Sequence, residues 1–174
     1  ALLVALLSFC IFSCAPIVTT FRESTGLLTL TKVEKGKDVP IGSGSVFSIA
    51  PKMLVTAGHI CSLVQKDKLK MNLSVLTEQG DVKPINAEIK VIDVDKENDI
   101  CLLETDNIIL KPLKLSMKVK HADKIYIYGA PASELGLITE GRIASLVRND
   151  RGIIQSILLS CPAYFGNSGS PVVN

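Results

Sequence analysis

Turn-forming residues interrupt this sequence too often to leave room for long helices. Runs rich in Val, Ile, Leu and Thr recur along the chain: LLTLTKV (27–33), GSGSVFSI (42–49), KMLVTA (52–57), NLSVLT (72–77), AEIKVIDV (87–94), DICLLE (99–104), KIYIYG (124–129), LITEGRIASLV (137–147) and IIQSILLS (153–160). Clusters of Gly, Pro, Asp, Asn or Lys separate them, which is the pattern of strands and turns. After residue 20 no stretch sustains helical periodicity over three turns, so a parallel α/β sheet is disfavoured. Many short strands at regular spacing point to an all-β chain built as barrels or a sandwich.

The first twenty residues differ in kind. ALLVALLSFCIFSCAPIVTT carries no charge, and the first ionised side chain is Arg22. The apolar run is short for a bilayer span and small residues follow it, as in a secretory signal. The stretch IFSC resembles a bacterial lipobox with Cys14 as the lipid acceptor; lipidation, plain cleavage and a retained anchor are the alternatives. An exported protein is expected: a periplasmic or cell-envelope lipoprotein, or an extracellular one. Membrane contact is expected only through that signal or lipid anchor. The basic residues that normally precede such a run are missing, so the sequence is read as beginning inside its signal, with residues 1–19 as the leader.

The body that follows has the balance of a globular protein, with 47% hydrophobic and 21% charged residues in 174. A net charge of +2, with lysines scattered and without interleaved aromatics, argues against a nucleic-acid partner. Residues 20–104 and 123–174 form two blocks of strands, and 105–122, with Pro112 and several lysines, reads as the linker. Of the 5 cysteines, Cys10 and Cys14 fall in the leader. Cys61, Cys101 and Cys161 have no metal-ligand spacing and are expected to be small buried hydrophobes, with one bridge among them as the alternative.

Three contexts carry chemistry: TAGHIC around His59, DKENDICLLE around Asp99, and FGNSGSP around Ser168. A serine hydroxyl is a poor nucleophile at neutral pH. It needs a neutral imidazole within hydrogen-bond reach and a carboxylate that fixes the imidazole's tautomer. Gly166 and Gly169 frame Ser168, and glycine permits the positive-φ geometry that turns amide N–H groups toward one point. The N–H groups of Gly166 and Ser168 are therefore the candidate oxyanion donors. Each residue has a plainer reading, Ser168 as a turn serine, His59 as a structural histidine, Asp99 as one solvated acid among Asp93, Asp95 and Glu97, but the joint pattern favours chemistry. His121 lacks such a context and is taken as a surface residue.

These motifs resemble the trypsin-like serine peptidases of the chymotrypsin fold, and within them the compact bacterial HtrA-like type. GSGSVFSI, MLVTAGH, NDICLLE, YGAP, ITEGRIASL and GNSGSP occur in the family's order between about Gly42 and Val173. The resemblance implies two six-stranded barrels and an endopeptidase in which Ser168 is the nucleophile, His59 the base and then acid, and Asp99 its orienter. It also implies a protein or peptide substrate and no metal or organic cofactor. Pro162, Ala163 and Tyr164 would wall the S1 site; they offer no carboxylate for a basic side chain, so small or aliphatic P1 residues are expected. The family more often carries Gly where Ser170 stands and Ala where Gly58 stands. Asn167 takes the place of the aspartate that digestive members pair with a new N-terminus, so activation by N-terminal insertion is not expected. In that fold further strands follow the nucleophile, whereas here the sequence stops at Asn174, and the second barrel is expected to be incomplete in what is read as an internal fragment. A double-barrel binding or scaffold protein without turnover is the alternative.

Overall fold

A computed structural model describes residues 15–174 except Met117, with side chains from Thr19 onward. The leader's Cys10 and its candidate lipid acceptor Cys14 lie outside the described residues. Among the described residues no helix is long and apolar enough to cross a membrane. A short helix α1 (Ala15–Ser24) runs directly into strand β1 (Thr25–Glu34) and is followed by β2 (Lys37–Ala50), β3 (Met53–Ala57), helix α2 (Gly58–Asp67), β4 (Lys70–Leu76), β5 (Val82–Ile85), β6 (Ile89–Asp95) and β7 (Ile100–Thr105). After an irregular connection come β8 (Lys124–Gly129), a 3₁₀ turn (Pro131–Ser133), β9 (Leu137–Arg148), β10 (Ile154–Leu159) and the two-residue β11 (Val172–Val173).

The strands form two sheets, one of seven strands in the order β5-β4-β1-β2-β3-β7-β6 and one of four in the order β10-β9-β8-β11. Neighbouring strands pair antiparallel throughout. The chain is thus all-β, with a full first unit and a smaller second one. The first sheet wraps a core of Leu28, Val46, Leu54, Leu73 and Leu103, each at most 1% exposed. Alternation explains the choice: Leu28, Val46 and Leu73 point into this core from neighbouring strands, while Leu27 and Ser45 beside them lie on the opposite face, where the second sheet buries them. β2 is long because it survives a bulge. Leu30 pairs with Gly42 and Thr31 with Pro40, so Ile41 is the extra residue and Pro40 sits at the irregularity, where a missing N–H is tolerated.

Helix α2 departs from the strand-only expectation. Its ten residues bury Ile60, Cys61 and Val64 along one face, too short a run for periodicity to register in the sequence. It stops where Lys68 takes a left-handed conformation (φ 52°) and Leu69 N–H donates to Val64 O at 3.1 Å.

The cysteines also depart from expectation. Cys61 and Cys101 are joined as a disulfide, with Cα atoms 6.3 Å apart, and both are fully buried in the first core. The β3–β7 register decides the pairing. It sets Thr56 opposite Cys101, while α2 begins one residue after β3 ends and turns Cys61 back over the same spot. Cys161 stays free.

A smaller cluster of Leu27, Leu76, Ala130 and Leu135 ties the two sheets together. Beside it, Phe21 of α1 stacks on Tyr128 of β8 with ring centroids 5.3 Å apart, and both rings are about 1% exposed. The residues on either side of the expected leader boundary at 19 therefore belong to one helix whose C-terminal end is packed into the body.

Candidate active site

His59 is the second residue of α2, and Asp99 stands just before β7, at the edge strand pair that flanks the helix start. Strands β3 and β7 are paired so that Ala57 faces Ile100, which leaves the residues just beyond, Gly58 and Asp99, side by side. Gly58 N–H donates to Asp99 O at 2.9 Å, and His59 N–H donates to Asp99 Oδ1 at 2.7 Å. The His59 ring completes the arrangement, with Nδ1 at 2.8 Å from Oδ2 and 3.1 Å from Oδ1.

Asp99 therefore has two functions at once. The first N–H groups of a helix lack intrahelical partners, and the residue at the cap position here, Ala57, has no side-chain acceptor. Asp99 supplies the acceptors from across the sheet, with its own carbonyl and its carboxylate. A left-handed backbone at Asp99 (φ 55°) turns both toward the same helix end, where the macrodipole also favours a negative charge. Partial burial pushes the Asp99 carboxyl up, but hydrogen bonds from the His59 ring and backbone, the attraction of the imidazolium and the Gly58 N–H outweigh it, and the group titrates below the ordinary carboxylate value. The close approach also accounts for Gly58 where the resembling family more often has Ala: a Cβ there would lie 3.0 Å from both Asp99 C and Ile100 N.

Ser168 stands on two consecutive tight turns. Asn167 N–H donates to Tyr164 O at 3.1 Å and Ser170 N–H to Asn167 O at 2.9 Å, closing turns 164–167 and 167–170 that share Asn167. Glycine occupies the third position of each, with φ 99° at Gly166 and 85° at Gly169, the geometry that only a residue without Cβ takes freely. Side chains there would also collide, at Gly166 with Ala130 O and at Gly169 with Ser45 O and Thr56 Oγ1. Ser168 is left at the corner of the second turn.

Hydrogen bonds hold the carbonyls of this loop, three of them against the body and the others within its own turns. Phe165 O accepts from Ala132 N–H at 2.8 Å, Gly166 O from the Ser45 hydroxyl at 2.9 Å, Asn167 O from Ser170 N–H, and Ser168 O from Ser45 N–H at 2.8 Å. In a planar trans peptide the N–H points opposite its carbonyl. Pinning Phe165 O to Ala132 thus aims the Gly166 N–H away from the body, the 167–170 turn points the Ser168 N–H opposite Asn167 O, and among the described residues neither N–H donates to any group. This is the arrangement an oxyanion site requires.

The histidine and serine loops meet through β2. A Cβ on Gly44 would collide with the Ile60 side chain, next to His59, and lie 3.2 Å from Ser168 O. Among the described residues Ser168 Oγ makes no hydrogen bond to His59, a contact that in unliganded serine hydrolases is often long and tightens when substrate binds. The His59 and Asp99 side chains are 57% and 54% exposed, and a cavity of about 340 Å³ opens beside them, lined by Leu63, Lys66 and Lys96.

Pro162, Ala163 and Tyr164 lie exposed between β10 and the serine turns. The residue sequence reasoning passed over is Phe165, 98% exposed and the second residue of the 164–167 turn. Its aromatic ring, next to Tyr164 and ahead of the glycine-framed serine, was the available signal. Ser45 and Thr56 were also passed over, because their partners lie far away in sequence.

Two antiparallel β units, with a paired histidine and aspartate on one and a glycine-framed serine on the other, define a peptidase of the trypsin-like class. The family model described as "Trypsin-like peptidase domain" matches residues 42–174, and the chain belongs to that family. Its fold is similar to that of the crystal structure of Deg5, with a TM-score of 0.73 at 19% sequence identity, covering 92% of this chain and 78% of that one. The architecture is accordingly the double barrel of the chymotrypsin type with an incomplete second barrel, and family membership implies protein substrates.

Proposed function

We propose that the protein is a serine endopeptidase acting through an acyl-enzyme, with Ser168 as nucleophile, His59 as general base and then acid, and Asp99 as orienter. The observation that carries the reading is the Asp99–His59 Nδ1 contact of 2.8 Å, which holds the ring with its other nitrogen free to take a proton. In the first step Ser168 Oγ bonds to the scissile carbonyl carbon as its proton passes to His59 Nε2. The carbonyl oxygen becomes an anion facing the N–H groups of Gly166 and Ser168, each such donor being worth about 3 kcal/mol to the transition state. The tetrahedral species then collapses, the C–N bond breaks, and the leaving amine takes the proton from His59. Water repeats the sequence on the ester and frees the enzyme.

Pro162, Ala163 and Tyr164, joined by the solvent-exposed Phe165, suit small or aliphatic P1 side chains. An exported setting, with Cys14 as a candidate lipid anchor, is part of the same proposal. The Cys61–Cys101 disulfide supports it, because such bridges persist in oxidising compartments.

A serine-directed fluorophosphonate separates this reading from a scaffold without turnover, which the missing Ser168–His59 hydrogen bond would suit. The enzyme labels covalently at Ser168 and cleaves a peptide substrate. Ser168→Ala and His59→Ala each abolish both, and the double variant is little worse than either, since triad members act as a unit. Retention of a tenth of the activity in Ser168→Ala would exclude Ser168 as nucleophile.

A further inference from the structure

We infer that Ser45 is a positioning residue for the serine loop, the point at which the first sheet anchors the backbone that carries the nucleophile and its oxyanion donors. Ser45 is fully buried in β2. Its N–H donates to Ser168 O at 2.8 Å. Its hydroxyl donates to Gly166 O at 2.9 Å and accepts from Ala130 N–H at 3.0 Å. Its own carbonyl accepts from the Thr56 hydroxyl at 2.7 Å, three residues ahead of His59. One residue therefore grips the carbonyls of Gly166 and Ser168, on the peptides that directly follow those carrying the two candidate donor N–H groups, and is itself tied to the strand that leads into the histidine helix.

The hydroxyl is the discriminating part. A serine hydroxyl has one donor and two acceptor sites. Here the donor is spent on the serine loop and an acceptor on Ala130, which follows β8, so a single oxygen fastens the nucleophile turn and the second sheet to the first. Among the described residues from Phe21 onward, no other side chain hydrogen-bonds to a backbone group of residues 164–170.

The test compares Ser45→Ala with Ser48→Ala in the full chain. Ser48 lies on the same strand, is equally buried, and its single hydroxyl proton is shared between Ala50 O at 3.0 Å and Met53 O at 3.3 Å, away from the serine loop. Both variants lose a buried hydroxyl, and both are expected to lose stability. Only Ser45→Ala should lower kcat, by about tenfold to a hundredfold, with KM within about twofold, because displacements near 1 Å at the reacting atoms carry penalties of that size. Amide hydrogen exchange should rise at Ala130 and across residues 164–170 in Ser45→Ala and stay at the wild-type level there in Ser48→Ala.

The kinetic part rests on the proposed serine-peptidase reading, whereas the exchange part does not. A wild-type chain that neither labels nor cleaves refutes that reading and leaves exchange to decide on Ser45. Equal kcat and equal exchange in the two variants would overturn the inference. Should the alanine variant fail to fold, Ser45→Cys fills the same space with a weaker donor, and the inference stands only if its loop exchanges faster than wild type.

Discussion

Removing the Cys61–Cys101 bridge is the perturbation whose size the structure sets most directly. The bridge spans a sequence separation of 40. For a loop of that length the chain-entropy relation gives about 13 cal/mol/K, or about 4 kcal/mol at 25 °C. Both sulfurs sit in the packed first core with Leu28, Val46 and Leu54, so each Cys→Ala change also empties a small space at about 1 kcal/mol. Cys61→Ala alone should then cost about 5 kcal/mol, and the double variant about 6, because the first substitution already opens the loop. Independent sites would instead sum to about 10 kcal/mol. The assay is urea unfolding followed by far-UV circular dichroism, since the chain has no tryptophan. The slope m should rise in the variants, as a chain released from its cross-link exposes more surface on unfolding. A double variant that loses less than about 1 kcal/mol, or single losses that simply add, would refute the bridge as the constraint that closes the first barrel around its histidine. A loss of this size is comparable to the whole stability of many domains, so the variants should also be far more susceptible to proteolysis.

Two further outcomes follow from the site. Asp99 titrates below its ordinary value in the folded chain, so its contribution to stability is present above the unfolded carboxylate pKa and is lost as pH falls through the lowered folded value; Asp99→Asn should therefore be less stable than wild type at pH 7, with a gap that closes on acidification, and a gap independent of pH between 7 and 2 in denaturant titrations would contradict the assignment. Gly169→Ala should lower stability by about 1–3 kcal/mol and slow fluorophosphonate labelling at least tenfold, because its Cβ meets Ser45 O and Thr56 Oγ1 at a positive φ. The comparison is Gly80→Ala, at a similar φ of 89° but with nothing within 4 Å, which should leave labelling unchanged.

The strands were legible because their information is local. LLTLTKV, KIYIYG and LITEGRIASLV are rich in β-branched, aromatic and Leu residues between turn formers, and each lies within an observed strand. β5 was not legible: VKPI has Pro84 at its centre, and it is a strand only because β4 offers it an edge to pair with. Helix α2 was missed for a related reason, since its ten residues make fewer than three turns and their cap comes from a residue 40 positions away. Three cysteines permit three pairings, and only the β3–β7 register with the turn into α2 selects Cys61 with Cys101. His59, Asp99 and Ser168 were singled out by their immediate neighbours. Ser45 was not, because its hydroxyl acts on Ala130 and Gly166, 85 and 121 residues further on, and nothing adjacent to it signals either partner.

The double use of Asp99 links fold and site more tightly than a triad drawn from side chains alone. Its carboxylate receives both the backbone N–H and the ring Nδ1 of His59, and its carbonyl receives the N–H of Gly58. A helix start that drifted from β7 would therefore release the imidazole as well as its own first turn. The Cys61–Cys101 bridge acts on the same pair of elements, two residues beyond His59 on one side and two beyond Asp99 on the other. Hydrogen bonds to a side chain more than half exposed are open to competition from water, and alone they hold a geometry weakly. A buried covalent link so close to them limits how far the helix can move when those bonds break. The exposed His59–Asp99 pair can thus keep its alignment without being buried, and the imidazole stays open to a substrate on its solvent side.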